Sequence, residues 1–141
     1  MTGRTAIYNA RLLDPASGLD TNGGILIENG LITDIGPTIT KTTAADVKID
    51  AKGKALAPGL IDLRVKTGEP GAENKETLET AGDAAAAGGV TTFIVMPDTD
   101  PVLDSVALVD FIKRRADSVA KVKVHPTGGL TIGLDGAKMS E

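Results

Sequence analysis

Pro58-Gly59-Leu60-Ile61-Asp62-Leu63-Arg64-Val65 opens the stretch that decides the fold. Its apolar run reads as a strand entered through a Pro-Gly turn. The loop Thr67-Gly68-Glu69-Pro70-Gly71 follows. Residues 74–87 then read as a helix, with Ala81, Ala84, Ala85 and Ala87 supplying helix propensity, Asn74 as the expected N-cap and Gly88-Gly89 as the stop. Val90-Thr91-Thr92-Phe93-Ile94-Val95-Met96 is β-branched and apolar, as a buried strand requires. After the loop Met96-Pro97-Asp98-Thr99-Asp100-Pro101, Asp104 or Ser105 caps a second helix over 105–119. Its Val106, Val109, Ile112, Ala116 and Val119 recur on one face. Lys121-Val122-Lys123-Val124-His125 is a third strand, closed by Pro126. Strand, helix, strand, helix, strand is the signature of parallel βα units, as in an α/β barrel or a doubly wound sheet.

Upstream the pattern differs. Thr5–Leu13 reads as a strand, and Gly24–Glu28 and Leu31–Ile35 flank Asn29-Gly30, a strong two-residue hairpin signal. Asp14-Pro15-Ala16-Ser17-Gly18 has the composition of a loop. A second hairpin is expected around Ala51-Lys52-Gly53-Lys54, with Val47–Asp50 leading in. The expected division is therefore a small antiparallel unit over 1–57 and the βα units over 58–141.

Composition limits the chemistry. The 141 residues suffice for a packed core. Aromatics are only 2%, so Ala, Val, Ile and Leu must build it. The net charge of −4 argues against nucleic acid as a partner, because phosphate binding calls for a basic surface. The basic run Lys113-Arg114-Arg115 reads as a solvated helix face. With no cysteine, disulfides and thiolate metal sites are excluded. No apolar run approaches the ~20 residues of a membrane span and no signal-peptide pattern precedes the first strand, so a cytoplasmic location is expected by default.

Pro58-Gly59-Leu60-Ile61-Asp62, Glu69-Pro70-Gly71, Lys75-Glu76-Thr77, Ala85–Thr92 and Met96–Pro101, at these spacings, closely resemble the dihydroorotase family of the amidohydrolase superfamily. The resemblance runs along the whole chain and corresponds to the N-terminal third of such a protein. It implies an α/β fold: a partial (β/α)8 TIM barrel, its first three strands and two helices, preceded by antiparallel strands of a small β-sandwich. It also implies zinc, and reversible ring closure of carbamoyl aspartate to dihydroorotate in pyrimidine biosynthesis, with metal-activated water as attacking group.

The family's first barrel strand ends in His-x-His, which places two imidazoles on one face. Arg64 and Lys66 stand at those two positions. A guanidinium and a protonated amine have no lone pair to give a metal. The arginine that holds the substrate carboxylate in the family falls at Gly68, and the asparagine that contacts substrate falls at Asp98. From these four changes, and from a complete barrel needing roughly 250 residues, we expect no catalytic residue, no bound metal and no enzymatic activity in this chain. Arg64 and Lys66 are expected instead to pair with carboxylates, Asp62 and Asp98 being candidates by position. The resemblance points to the non-catalytic homologues, some of which hold aspartate transcarbamoylase in its active complex. A homo- or hetero-oligomer follows, since open strand edges invite pairing. Two alternatives stand beside it: a cyclic-amide hydrolase with an atypical, even metal-free site, and an inert fragment or truncated product. His125, a lone imidazole at a strand end, reads as structural because zinc needs three or four ligands. Glu69 and Glu73 could suggest acid–base carboxylates, but Glu69 reads as loop architecture.

Overall fold

The computed structural model describes residues 3–141, which divide after Pro58 into two compact units.

The first unit is one five-stranded sheet. β1 (Arg4–Asp14) pairs antiparallel with β2 (Leu19–Glu28), and β2 with β3 (Leu31–Gly36) through the Asn29-Gly30 turn, both of whose residues have positive φ. The expected second hairpin does not form. Lys52 and Gly53 do turn, at φ 53° and 77°, but the flanking strands β4 (Val47–Asp50) and β5 (Ala55–Leu56) each pair parallel with β1 rather than with each other. The sheet is therefore mixed, not purely antiparallel. The cause lies in β1, which bulges between Ile7 and Ala10 around Asn9, at φ 56°. The bulge turns backbone groups toward the 51–54 loop: Gly53 N–H donates to the Asn9 carbonyl (2.8 Å) and Arg11 N–H to that of Lys54 (3.1 Å). Small apolar clusters about Ala6, Leu26 and Ile39 and about Ala10, Leu12 and Ile25 hold the unit together.

The second unit carries a parallel three-stranded sheet in the order β6–β7–β8: Leu60–Val65, Val90–Val95 and Lys123–Pro126. Helix α1 (Leu78–Ala87) joins the first two strands and α2 (Val106–Val119) the last two. One core cluster unites them, with Leu78, Phe93, Val95, Leu103 and Ile112 at most 1% exposed. At ~25 cal/mol per Å² of apolar surface removed from water, each such side chain contributes ~1.5–3 kcal/mol. Ile112, Ala116, Val109 and Val119 of the predicted apolar face do pack inward, whereas Val106 lies 59% exposed.

The start of α1 differs from expectation. Its N-cap is Thr77, not Asn74: Thr77 Oγ1 accepts from Thr80 N–H (3.1 Å) and Thr80 Oγ1 from Thr77 N–H (3.0 Å), a reciprocal capping box. Residues 71–76 are spent on turns, with Ala72 N–H donating to the Gly68 carbonyl and Lys75 N–H to that of Ala72. Among the described residues no helix is long and apolar enough to cross a membrane.

Candidate functional site

The carboxyl ends of β6 and β7 bring the marked residues together. In a parallel sheet the strands end side by side: Val65 pairs with Val95, and Met96 N–H donates to the Val65 carbonyl at 2.9 Å. Lys66 follows β6 directly and Asp98 stands three residues beyond the end of β7. Across this step Lys66 Nζ donates to Asp98 Oδ2 in an ion pair. The Lys66 hydrogen bond, with the positive charges of Lys66 and Arg64 behind it, holds the Asp98 carboxyl below the usual carboxylate range against a smaller desolvation effect. Arg64 is exposed, and its contact with Asp62 is made by its backbone N–H (3.0 Å), not by the guanidinium. Of the carboxylates anticipated by position, Asp98 takes a cation and Asp62 a peptide group.

Gly68 sits on the first turn of the β6–α1 loop. A Cβ here would lie 2.2 Å from the Ala72 carbonyl oxygen and 2.6 Å from that of Glu76. The space a side chain would enter is thus filled by backbone. Gly71, at φ 100°, has the same constraint against the next loop, its Cβ direction ending 2.0 Å from the Asp100 carbonyl oxygen. Asp100 N–H in turn donates to the Pro70 carbonyl at 3.2 Å. Lys66, Gly68, Lys75, Glu76, Asp98 and Asp100 border an open cavity of about 470 Å³ between the two loops.

Glu69 lies behind this surface and is 6% exposed. Its Oε2 accepts from Leu78 N–H (2.9 Å), one of the unpaired amides at the start of α1, and its Oε1 from Arg115 Nε (2.7 Å) on α2. This is structural work, in keeping with a loop role. Arg115 departs from expectation: one member of the basic run is tied inward, and Glu69 raises its pKa above the ordinary arginine value, first through the hydrogen bond. Its position three residues after buried Ile112 and next to buried Ala116 is the sequence signal that marks it. Glu73 accepts from Gly71 N–H (3.0 Å), which lowers its pKa. His125 is exposed on β8 beside Ile94.

The donor set at Arg64 and Lys66 does not fit zinc. One side chain is a guanidinium, the other an ammonium already engaged by Asp98, and neither offers an electron pair. Among the described residues no three His, Asp or Glu side chains gather at one point.

Residues 53–141 match the family model described as Dihydro-orotase-like. Curated dihydroorotases are similar along most of the chain. That of Wolbachia sp. subsp. Drosophila simulans (strain wRi) is 46% identical over 122 residues, 86% of this chain and 28% of the relative. That of Pelobacter propionicus is 39% identical over 135 residues, 96% and 32%. Among solved structures, the L-hydantoinase (dihydropyrimidinase) from Arthrobacter aurescens superposes with a TM-score of 0.80 at 29% identity, covering 90% of this chain and 28% of that one. The chain thus spans about a third or less of the length of these relatives.

One expectation is corrected by these matches. The relatives are named as hydrolases, dihydroorotase and L-hydantoinase. Against that background, changed residues within this limited share of their length do not establish that the protein is not an enzyme. The mixed α/β architecture, the hydantoinase-like superposition and the match over 53–141 agree, and the chain belongs to the dihydroorotase-like family.

Proposed function

We propose that this chain forms the first three strands and two helices of a (β/α)8 barrel in a dihydroorotase-like protein of pyrimidine biosynthesis, and that this protein assembles with aspartate transcarbamoylase. The observation that carries the reading is the strand end itself. Arg64 and Lys66 occupy the positions where the family resemblance puts two imidazoles, and Lys66 is committed to Asp98. A charge pair of this kind holds structure and offers surface, which is what an assembly partner supplies. The exposure of β6 supports the barrel part of the reading: Leu60, Ile61 and Leu63 are 61%, 62% and 71% exposed on the two faces of an edge strand, as a strand covered within a larger barrel would leave them. The test is size-exclusion of the native full-length protein mixed with aspartate transcarbamoylase of the same organism. Co-elution at fixed stoichiometry supports the reading, and separate elution ends it.

An assembly role does not require the absence of turnover, and the names of the relatives favour a second reading. In it the protein is a cyclic-amide hydrolase that interconverts dihydroorotate and carbamoyl aspartate through an atypical site. Turnover of dihydroorotate by the full-length protein, lost in Lys66→Ala, supports this second role. Turnover that Lys66→Ala leaves unchanged removes Lys66 from it.

A further inference from the structure

Five links join the β6–α1 loop to the β7–α2 segment, to α1 and to α2. Lys66 pairs with Asp98, Asp100 N–H meets the Pro70 carbonyl, and Gly71 packs against Asp100 with no room for a Cβ. Glu69 accepts from both Leu78 N–H and Arg115, and within the loop itself the Gly68 carbonyl accepts from Ala72 N–H at 2.6 Å. Each link is made by protein groups, and the charges within the set balance in pairs: Lys66 with Asp98, Arg115 with Glu69. A divalent cation entering beside Lys66 would have to displace an ammonium from Asp98 and then face the Arg64 guanidinium, with no third carboxylate or imidazole gathered there among the described residues.

We infer that the Lys66–Asp98 pair, with the close backbone approach of Gly71 to Asp100, is a metal-independent lock that fixes the two strand-end loops to each other and keeps divalent ions out. The inference rests on the family reading only for the positions at which a metal would be looked for. The lock joins a cation from one strand to an anion from the next, so it performs the bridging that a shared metal would otherwise provide. Gly68 has a corresponding role: with backbone oxygens in its side-chain space, the loop cannot carry an arginine there without reopening.

The experiment is thermal melting of the full-length protein with EDTA, with a twofold excess of zinc, and with neither. Expected is a midpoint that moves by less than about 1 °C in all three, since nothing that binds only the folded state is gained or removed. Lys66→Met and Asp98→Asn should each lower the midpoint by roughly 1–4 °C at low salt. The double variant should fall no further than either single, because the two substitutions remove one interaction. The charge-swapped Lys66→Asp/Asp98→Lys protein should recover part of the loss. A fall with EDTA, or a rise with zinc that Asp98→Asn abolishes, overturns the inference. So does additivity of the two single variants. The chelation arm needs no variant to fold, and the assembly reading is scored separately by co-elution of the wild type.

Discussion

Lys66 donates to the Asp98 carboxyl and holds it below the usual carboxylate range, and that coupling sets a pH signature. A carboxyl whose folded pKa is depressed adds stability above its unfolded value, ~3.9, and loses it as the pH falls through the lower folded value. The gap in stability between wild type and Asp98→Asn should therefore be full at pH 6 and shrink steadily as the pH is taken below ~4. Its size is small, at most ~1 kcal/mol, since the Lys66 and Asp98 side chains are 65% and 38% exposed and solvent screens them. Urea titrations at both pH values read it; a gap that widens toward acid would contradict the assignment. Phe93, 1% exposed in the core of the second unit, is the opposite case. Phe93→Ala should cost ~3–5 kcal/mol through lost burial and the cavity left behind, seen as a lower urea midpoint with an unchanged slope. At this scale the sequence was informative where chemistry is intrinsic. That arginine and protonated lysine cannot ligate a metal, and that Asp98 could face Lys66, follow from residue type and spacing. That Asp62 would take a backbone amide rather than the Arg64 side chain depends on local torsions that spacing does not encode.

Elements start and stop where local bonds compete, and α1 shows how. Asn74 has the chemistry of a cap, but the chain at 71–76 closes turns onto Gly68 and Ala72, so the helix begins only at the Thr77–Thr80 box. Glu69 then caps α1 from a distance. Glu69→Ala should destabilise by ~2 kcal/mol, because Leu78 N–H and Arg115 lose a buried partner. Faster amide exchange at Leu78 than in the wild type is the specific readout; unchanged exchange there would remove Glu69 from its capping role. Gly71→Ala should be worse than an ordinary loop change, since positive φ and the Asp100 carbonyl both oppose a Cβ. A melting midpoint within 1 °C of wild type would show the loop to be loose. The misassigned hairpin at 51–54 teaches a related point. Turn residues report that the chain reverses, as Lys52 and Gly53 do, but not which strand it joins. Here the partner is β1, made available by the bulge at Asn9, a contact more than forty residues away in sequence.

Over the whole molecule, the alternation of strand and helix after Pro58 was legible because each βα unit carries its own apolar period, and the three strands do pair in parallel in chain order. Family membership was legible as well, from turn motifs whose glycines have geometric reasons to be glycine, Gly59 and Gly71 among them. Activity was not legible, because the chain spans only about a third or less of the length of the relatives it matches. The replacement of metal donors by a charge pair at the ends of β6 and β7 is what sets this chain apart from the family pattern it resembles. Its most direct test is a crystal structure of the native full-length protein, grown with zinc and recorded at the zinc absorption edge. Expected are Lys66 Nζ in hydrogen-bond contact with Asp98 and no anomalous peak beside it; an anomalous peak at the ends of β6 and β7, with Lys66 turned away from Asp98, would overturn the replacement.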